Sequence, residues 1–498
     1  MKPVVKFENV KPPQKPAAEL IQRTSTVLKP NDGRVILRPF SSSSEAQARH
    51  MIARVMTMSE ENVSRWLTEV LANFMGRHLD IQDFFRTRFE QVKHLLLSDH
   101  ELSPSRQLLI GAYFASEYSL EAAALFNPSI VPHPDQSGLP SGSLRFILSL
   151  RSTGEGHISS ITFRTGQIDS QHRICMDPPS KYAVAVPPIP NPSFEKNLFL
   201  RKLQELDLVG EFTQEILACL NDSFMFDELQ ESVRRVLRKY GKRLDSDFTA
   251  RGILLLAQSN YEVKFPSEYE MSERILFPAS PSQINGIEDA RFVLFQNPEG
   301  ESVYYATYTA YDGKLILPQL LETRDFRYFK FITLNGPAIQ NKGMALFPRM
   351  INNLYAMISR GDGENLSLMY SDNLHFWYES RVIARPTYPW EMVQIGNCGS
   401  PLETEQGWLL LTHGVGPMRK YCIGALLLDR EDPSQVIGRL REPLIIAHDE
   451  ERKGYVPNVV YTCGSLVHGD TLIIPYGISD YATTFATVPL SKLLNAMV

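Results

Sequence analysis

The stretch Asn285-Gly286-Ile287-Glu288-Asp289-Ala290-Arg291 puts two adjacent carboxylates after a glycine and a guanidinium two residues later. The apolar run Phe292-Val293-Leu294-Phe295 follows at once and reads as a strand leaving a turn. Neighbouring side chains of a strand point to opposite faces, so Glu288 and Asp289 are expected to be used differently. One would be held by local partners while the other reaches into a cleft. A desolvated carboxyl in a cleft suits general acid work. Taken alone, the pair is more often a polar turn before a strand, and the rest of the chain has to decide.

Four further stretches set polar groups at strand ends or in glycine-rich turns: Phe126-Asn127-Pro128-Ser129, Arg360-Gly361-Asp362-Gly363, Gln394 to Pro401 with Trp408 to His413, and Tyr476-Gly477-Ile478-Ser479-Asp480. Each has an ordinary structural use: a turn asparagine, a surface arginine, a core histidine, a capping aspartate. Their interest lies in convergence, because a propeller brings such ends together at its central mouth.

The elements that must position these residues follow from composition and period. The chain of 498 residues is 43% hydrophobic and 21% charged, an ordinary globular balance with ample core. A net charge of -5 without long like-charge runs argues against broad nucleic-acid or membrane binding. Cys175, Cys219, Cys398, Cys422 and Cys463 are odd in number and lack CxxC spacing, which speaks against a disulfide framework or structural zinc. The N-terminus has no apolar signal region and no run approaches the length of a membrane span, so a cytoplasmic protein is expected.

Residues 1–48 are rich in proline and serine, with one strand candidate from Arg34 to Leu37. Val63, Trp66, Leu67, Val70, Leu71 and Phe74 then fall on one helix face, their aromatics read as core. Ile81, Phe84, Phe85, Phe89 and Val92 mark a second helix and Arg106 to Phe114 a third. Strands begin near Leu125, with Leu144 to Arg151 and Ile158 to Arg164 around a Gly154-Glu155-Gly156 turn. A proline-rich passage from Pro178 to Pro192 precedes a helical stretch in which Leu229, Val233, Val236, Leu237 and Tyr240 keep helical spacing.

After Ile253 short strands predominate, at 289–296, 302–309, 328–334, 354–360, 366–371, 408–413, 421–428, 459–466 and 471–477. Gly, Asn and Asp in the gaps indicate a sandwich, barrel or propeller rather than alternating βα units. Similar runs at Tyr304 to Tyr308, Leu354 to Ile358 and Trp408 to Thr412 suggest repeated four-stranded units. The chain divides into a mostly helical extension over 1–120, a β domain over 121–490 with a helical insertion at about 193–250, and a tail over 491–498.

Taken together the motifs resemble glycoside hydrolase family 130, the β-mannoside phosphorylases and β-mannosidases. Gly286-Ile287-Glu288-Asp289-Ala290-Arg291 is similar to the family's G-x-E-D-P-R, with Ala290 in place of proline. Ile395 to Pro401, then Gly407-Trp408-Leu409 and His413-Gly414-Val415, resembles its I-G-x-G-x-P-P, G-W-L and H-G-V block. Tyr421, Gly424-Ala425, Leu428-Asp429, Asp432-Pro433 and Val436-Ile437 continue the pattern. Val456 to Val460, Gly469-Asp470 and Tyr476-Gly477 with Asp480 complete it.

The resemblance covers about 125–490 and implies a five-bladed β-propeller with its site at the axial mouth. It implies Asp289 as the general acid and a phosphate site of Asn127, Lys342, Arg360, Gln394, His413 and Tyr421. Lys342 stands where an arginine is usual, keeping a cation but losing the bidentate fork. Gln394 stands where many family phosphorylases carry a lysine, the main departure. Arg151, Glu288, Arg291 and Asp480 would contact the sugar or order the cations. The implied partners are a manno-oligosaccharide and inorganic phosphate as co-substrate, with no cofactor and no metal. No nucleic acid or membrane is expected, and the apolar helical faces suit self-association.

Inverting cleavage needs an acid on the leaving oxygen and a nucleophile on the opposite face of the anomeric carbon. A hydrolase adds a second carboxylate to activate water, whereas a phosphorylase needs a cationic pocket for its anion. Arg360, His413 and Lys342 are read as positive partners, and none of the anion positions has become acidic. Phosphorolysis yielding α-mannose 1-phosphate is therefore favoured over hydrolysis by a β-mannosidase. The presence of Asp289 beside Arg291 argues against a non-catalytic carbohydrate-binding propeller.

Overall fold

The protein is described here by a computed structural model covering residues 17–97, 100–189, 193–240, 244–313 and 316–498. It is mainly β, with five antiparallel units following one another along the chain. The first comprises Ala124–Pro132, Leu144–Thr153, Ser159–Ile168 and Ile174–Met176. The second comprises Gly286–Gln296, Ser302–Tyr311, Ile316–Thr323 and Tyr328–Thr333, with Tyr261–Lys264 on its outer edge. Lys342–Leu346, Tyr355–Arg360, Leu366–Ser371 and Ser380–Ala384 make the third. Gln394–Asn397, Gly407–Val415, Tyr421–Leu428 and Val436–Arg439 make the fourth. In the fifth, Val460–Tyr461, Thr471–Ile478 and Ala482–Pro489 are joined from far away in sequence by Gln22–Leu28.

Apolar residues on both faces of these strands bind each unit to its neighbours. Ile147 and Phe163 meet Phe292 and Tyr304 between the first two units. Val293 and Phe295 meet Met357 and Met369 between the second and third. Ile358 and Leu368 meet Trp408 and Leu410 between the third and fourth, and Leu409 and Leu411 meet Ile474 and Ala486 between the fourth and fifth. The last unit also shares a core with the first, where Phe485 and Ile473 pack with Phe146 and Leu148. Each fully buried Phe or Leu in these seams contributes about 1.5–3 kcal/mol.

Four helices lie before the first unit. α1 (Glu45–Met56), α2 (Glu60–Phe74) and α4 (Pro104–Tyr113) start on serine caps, and α3 (Ile81–Val92) lies between the last two. Four more, α5 (Lys196–Glu205), α6 (Glu211–Ala218), α7 (Phe226–Tyr240) and α8 (Leu244–Gln258), form a separate apolar cluster. Where the chain ends, Leu490–Asn495 is a short helix with Leu493 and Leu494 in the core of the last two units.

The structure corrects three expectations. On α2, Val63 and Leu67 are buried, but Trp66 and Phe74 are 42% and 37% exposed, because α4 covers only part of its apolar face. The run 459–466 is not one strand. After Val460–Tyr461 the chain leaves the ladder, and the Cys463 amide donates 2.8 Å to Pro128 O of the first unit. The strand Gln22–Leu28, hidden in a polar segment, has little apolar signal of its own and exists through pairing with Thr483 to Thr487.

A buried charge cluster fastens the N-terminal segment to the first unit. Glu121 Oε1 accepts from Arg34 Nε at 3.0 Å and from Arg164 Nη2 at 2.6 Å. All three side chains are at most 4% exposed. Removing the carboxylate takes from two buried guanidiniums the counter-ion they share. Glu121→Ala is expected to cost about 3–5 kcal/mol, read by urea unfolding followed by circular dichroism. A loss below about 1 kcal/mol would show that the cluster carries little of the attachment.

Candidate active site

The first strands of three units carry the same interruption. Register shifts fall between Phe126 and Ser129, between Glu288 and Arg291, and between Lys342 and Ala345. Inside them Asn127, Asp289 and Gly343 adopt φ of 48°, 53° and 93°. A left-handed residue in a bulge turns its own side chain and its neighbour's out of strict alternation. Asn and Asp tolerate that conformation better than bulkier residues do.

This overturns the expectation that Glu288 and Asp289 serve opposite faces: both accept from one guanidinium. Arg151 Nη2 donates to Glu288 Oε1 at 2.8 Å and Nη1 to Asp289 Oδ1 at 3.2 Å. Ser159 Oγ, 2.9 Å from Arg151 Nε, fixes the fork. Asn127 Nδ2 gives Asp289 Oδ1 a second bond at 2.7 Å, and Lys342 Nζ stands 3.9 Å from Glu288 Oε2.

A cavity of about 250 Å³ opens over this group. Asn127, Arg151, Glu288, Asp289 and Arg291 line one side; Lys342, Arg360, Gln394, His413, Tyr421 and Asp480 line the rest. Every residue singled out from the sequence therefore meets in one place. Arg291 lies lower, with Nη2 donating to Tyr461 Oη at 2.7 Å and Nη1 to Asp289 O at 3.3 Å.

On the opposite wall Arg360 Nη1 is 3.0 Å from His413 Nε2, and His413 Nδ1 is 3.3 Å from Asn397 O. A guanidinium only donates, so His413 Nε2 accepts and the ring proton sits on Nδ1, directed at the carbonyl. The Tyr421 ring stacks on His413 at 5.9 Å between centroids, with 10° between planes. Glycine makes this arrangement feasible. A Cβ at position 396 would stand 2.4 Å from His413 Cε1 and 3.3 Å from Arg360 Cδ.

Burial by itself would raise the Asp289 carboxyl, but Arg151, Arg291 and Lys342, with the Asn127 bond, bring it down to about 2. Asp480 goes the other way. Burial, helped by the nearby charges of Asp289 and Glu288 and opposed by Arg151 and Arg419, pushes it up to about 6. Burial, then the fields of Arg360 and Arg291, hold His413 well below the usual imidazole range. His413 is thus neutral, and the expectation that it supplies positive charge is corrected: it orients Arg360. Burial also lowers Arg360, 8% exposed, and among the described residues no carboxylate lies within 4.0 Å of it.

Counting the lining, Arg151, Arg291, Lys342, Arg360 and Arg419 are five cations against the three carboxylates Glu288, Asp289 and Asp480. Two positive charges are left over with Asp480 ionised. The sequence reasoning did not single out Arg419, Asn397, Tyr461 or Gly343. Asn397 lay inside a quoted motif and Tyr461 just beyond one. Arg419 comes from a Gly416-Pro417 turn in which Met418 and Arg419 both have positive φ, at 58° and 53°. Among the described residues no group of three or more His, Cys, Asp or Glu side chains is placed to hold a metal ion.

A mainly β protein that brings a buried acid pair and an under-compensated cation cluster to one cavity has the makings of a glycoside-cleaving enzyme with an anionic reactant. The chain belongs to glycoside hydrolase family 130: residues 199–498 match the family model described as beta-1,4-mannooligosaccharide phosphorylase. It is similar to a 1,2-beta-oligomannan phosphorylase of Thermoanaerobacter sp. (strain X514), 33% identical over 231 residues, which are 45% of this chain and 75% of that protein. A beta-1,2-mannobiose phosphorylase of Listeria innocua is 29% identical over 45% of this chain and 63% of its own length. The solved structure of a Listeria innocua beta-1,2-mannobiose phosphorylase with beta-1,2-mannobiose superposes with a TM-score of 0.46 at 18% identity, over 75% of this chain and 92% of that one.

Gly396→Ala tests whether the Arg360–His413 wall seats an anion, without touching a charge. The new methyl drives the imidazole away from Arg360, and affinity for inorganic phosphate is expected to fall by roughly tenfold, one charge-assisted bond's worth. Titration calorimetry reads it. Unchanged affinity would mean that the Arg360–His413 pair is not the anion's seat.

Proposed function

We propose that this protein is an inverting glycoside phosphorylase that cleaves β-mannosides, manno-oligosaccharides among them, with inorganic phosphate to give α-mannose 1-phosphate. The observation that carries the reading is Arg360: a buried guanidinium with no carboxylate within 4.0 Å among the described residues, in a cavity whose lining carries two more cations than carboxylates. A hydrogen phosphate dianion matches that excess. Hydrolysis is the second reading, supported by Asp480, whose raised carboxyl next to Arg151 could serve as a base for water.

The proton count suits phosphate. Hydrogen phosphate loses one proton on becoming the ester and the leaving hydroxyl gains one, so no outside acid is consumed. Asp289, ionised in the sugar-free site, is loaded within the complex. When the dianion offsets the cations that hold Asp289 down, its carboxyl rises and can take and pass the proton. It delivers that proton to the leaving oxygen directly or through a sugar hydroxyl while a phosphate oxygen attacks from the opposite face. In this scheme Arg360 with Asn127, Lys342, Gln394, His413 and Tyr421 seats phosphate. Arg151, Glu288, Arg291 and Asp480 hold the sugar and order the acid.

The five units read as blades of a five-bladed propeller within 121–490, an arrangement supported by the shared core of first and last. Residues 1–120 form an extension, about 193–250 an insertion, and 491–498 the tail. The open groove of Trp66 and Phe74 suits self-association. A cytoplasmic location fits a charged product that membranes retain, and among the described residues no helix is long and apolar enough to cross one.

Turnover of a β-mannobiose is expected to require phosphate and to produce α-mannose 1-phosphate, detected by phosphorus NMR. Asp289→Asn should lower kcat by roughly 10²–10⁴, and Arg360→Ala should raise the phosphate requirement far more than the sugar requirement. Phosphate-independent release of free mannose, indifferent to Arg360→Ala, would establish hydrolysis instead.

The Asp480 carboxyl sets a pH signature. Raised in the folded protein, it is protonated below about pH 6 and ionised above. The free-enzyme profile of kcat/KM should therefore bend near pH 6, and Asp480→Asn should remove that bend. A bend that survives the substitution would assign it to another group.

A further inference from the structure

Arg23 lies in the strand Gln22–Leu28, outside the cavity and more than four hundred residues from the turn it reaches. The pairing of that strand with Ala482–Pro489 slips between Arg23 and Val27, and such a slip re-aims the side chain at its edge. Arg23 Nε lies 3.2 Å from Glu451 Oε1 and 3.1 Å from Tyr476 Oη, while Nη2 donates to Ile446 O at 2.8 Å. The fully buried Tyr476 completes the triangle by donating from Oη to Glu451 Oε1 at 2.6 Å. The two charged side chains are 22% and 12% exposed, shielded enough for the pair to hold a fixed geometry.

Glu451 leads directly to the cavity. Its backbone carbonyl accepts from Ser479 Oγ at 2.6 Å, and Ser479 precedes Asp480 in a turn where both have positive φ, 51° and 49°. The next residue, Arg452, donates from Nε to Asn458 Oδ1 at 2.6 Å, and Asn458 O accepts from the amide of Tyr421 at 3.0 Å. One short turn, Asp449–Arg452, thus braces the backbone of two lining residues, and Arg23 braces that turn.

We infer that Arg23, through its pair with Glu451, is a positioning residue for the substrate site, holding the Asp480 turn and the Tyr421 strand end in their working places. The N-terminal strand is then part of the site's support and not merely an added edge. Two left-handed residues in succession are costly to hold and relax when their anchors go, so loss of Arg23 loosens the 478–481 turn first.

The inference rests on the proposed function, in which Asp480 holds the sugar and Tyr421 helps seat phosphate, so the test has one arm with substrate and one without. Arg23→Ala is expected to raise KM for β-mannobiose about three- to tenfold through the Asp480 turn, and KM for phosphate by less than about threefold, since Tyr421 shares that seat with five other groups. Arg23→Lys, which keeps the Glu451 pairing but not the Ile446 bond, should recover part of the loss. Glu451→Gln is nearly isosteric, keeps the backbone carbonyl and should reproduce the Arg23→Ala effect, covering the case in which that variant fails to fold. Thr484→Val removes a 2.8 Å bond from Thr484 Oγ1 to Thr26 O in the same strand pair without touching Glu451, and should leave sugar KM unchanged.

In the unliganded protein, amide exchange should rise in 449–459 and 478–481 for the Arg23 and Glu451 variants while the other units keep their protection. Variants with parental kinetics and parental exchange in those segments would overturn the positioning role. So would a uniform rise across all units, which is what a merely stabilising contact produces. A parent inert toward every β-mannoside would instead count against the proposed function, and the exchange arm would still decide the role of Arg23.

Discussion

Asp289 can be buried because Arg151 is buried with it. A lone carboxylate in that position would take up a proton or unfold its surroundings. The fork of Arg151, fixed by Ser159, instead holds Asp289 and Glu288 at 3.2 and 2.8 Å across the joint between the first and second units. The same joint is where Gly286 meets Ser159, and a side chain at position 286 would meet Ser159 at 2.8 Å. Strand geometry, close backbone approach and charge compensation are therefore one constraint. The apolar seams that bring the units together supply the energy that keeps the charges in register.

The two halves of the cavity differ in their balance. Glu288 and Asp289 are paired with Arg151, while the Arg360 wall has a neutral imidazole where a counter-ion would stand. In the proposed reaction an anion completes the site, and its charge alters the acid across the cavity. That scheme links binding and proton transfer through the field. The requirement also explains a neutral His413: a charged imidazole against Arg360 would repel it, whereas the Nε2 lone pair aims it.

The backbone pays for this convergence. Of the fourteen non-glycine residues with positive φ among the described residues, eight line the cavity or adjoin a lining residue: Asn127, Asp289, Asn341, Met418, Arg419, Asn458, Ser479 and Asp480. Sparsely populated conformations of this kind cost of order 1–3 kcal/mol each, less for Asn and Asp, and persist where surrounding structure over-determines them. Here that structure includes bulged first strands, the Asp449–Arg452 turn and an N-terminal strand contributed from the other end of the chain.

Much of the site was legible in the sequence because it is built from short motifs of fixed chemical type. The Glu288-Asp289 pair, Arg360, the Gln394 and His413 blocks and Asp480 all reach the cavity, and strand texture after Ile253 marked the repeated units. Local pattern could not disclose what depends on pairing between distant segments. Strict alternation assigned Glu288 and Asp289 to opposite faces, and only the bulge against Ser302–Tyr311 turns both toward Arg151. Residue type read His413 as a positive partner, and burial beside Arg360 makes it neutral. Gln22–Leu28 has little apolar period to announce it, since its reason for being a strand is the edge of Ala482–Pro489. Residue type and spacing determined which chemistry the chain carries; register, burial and long-range pairing decided which groups share a field, and so which are charged.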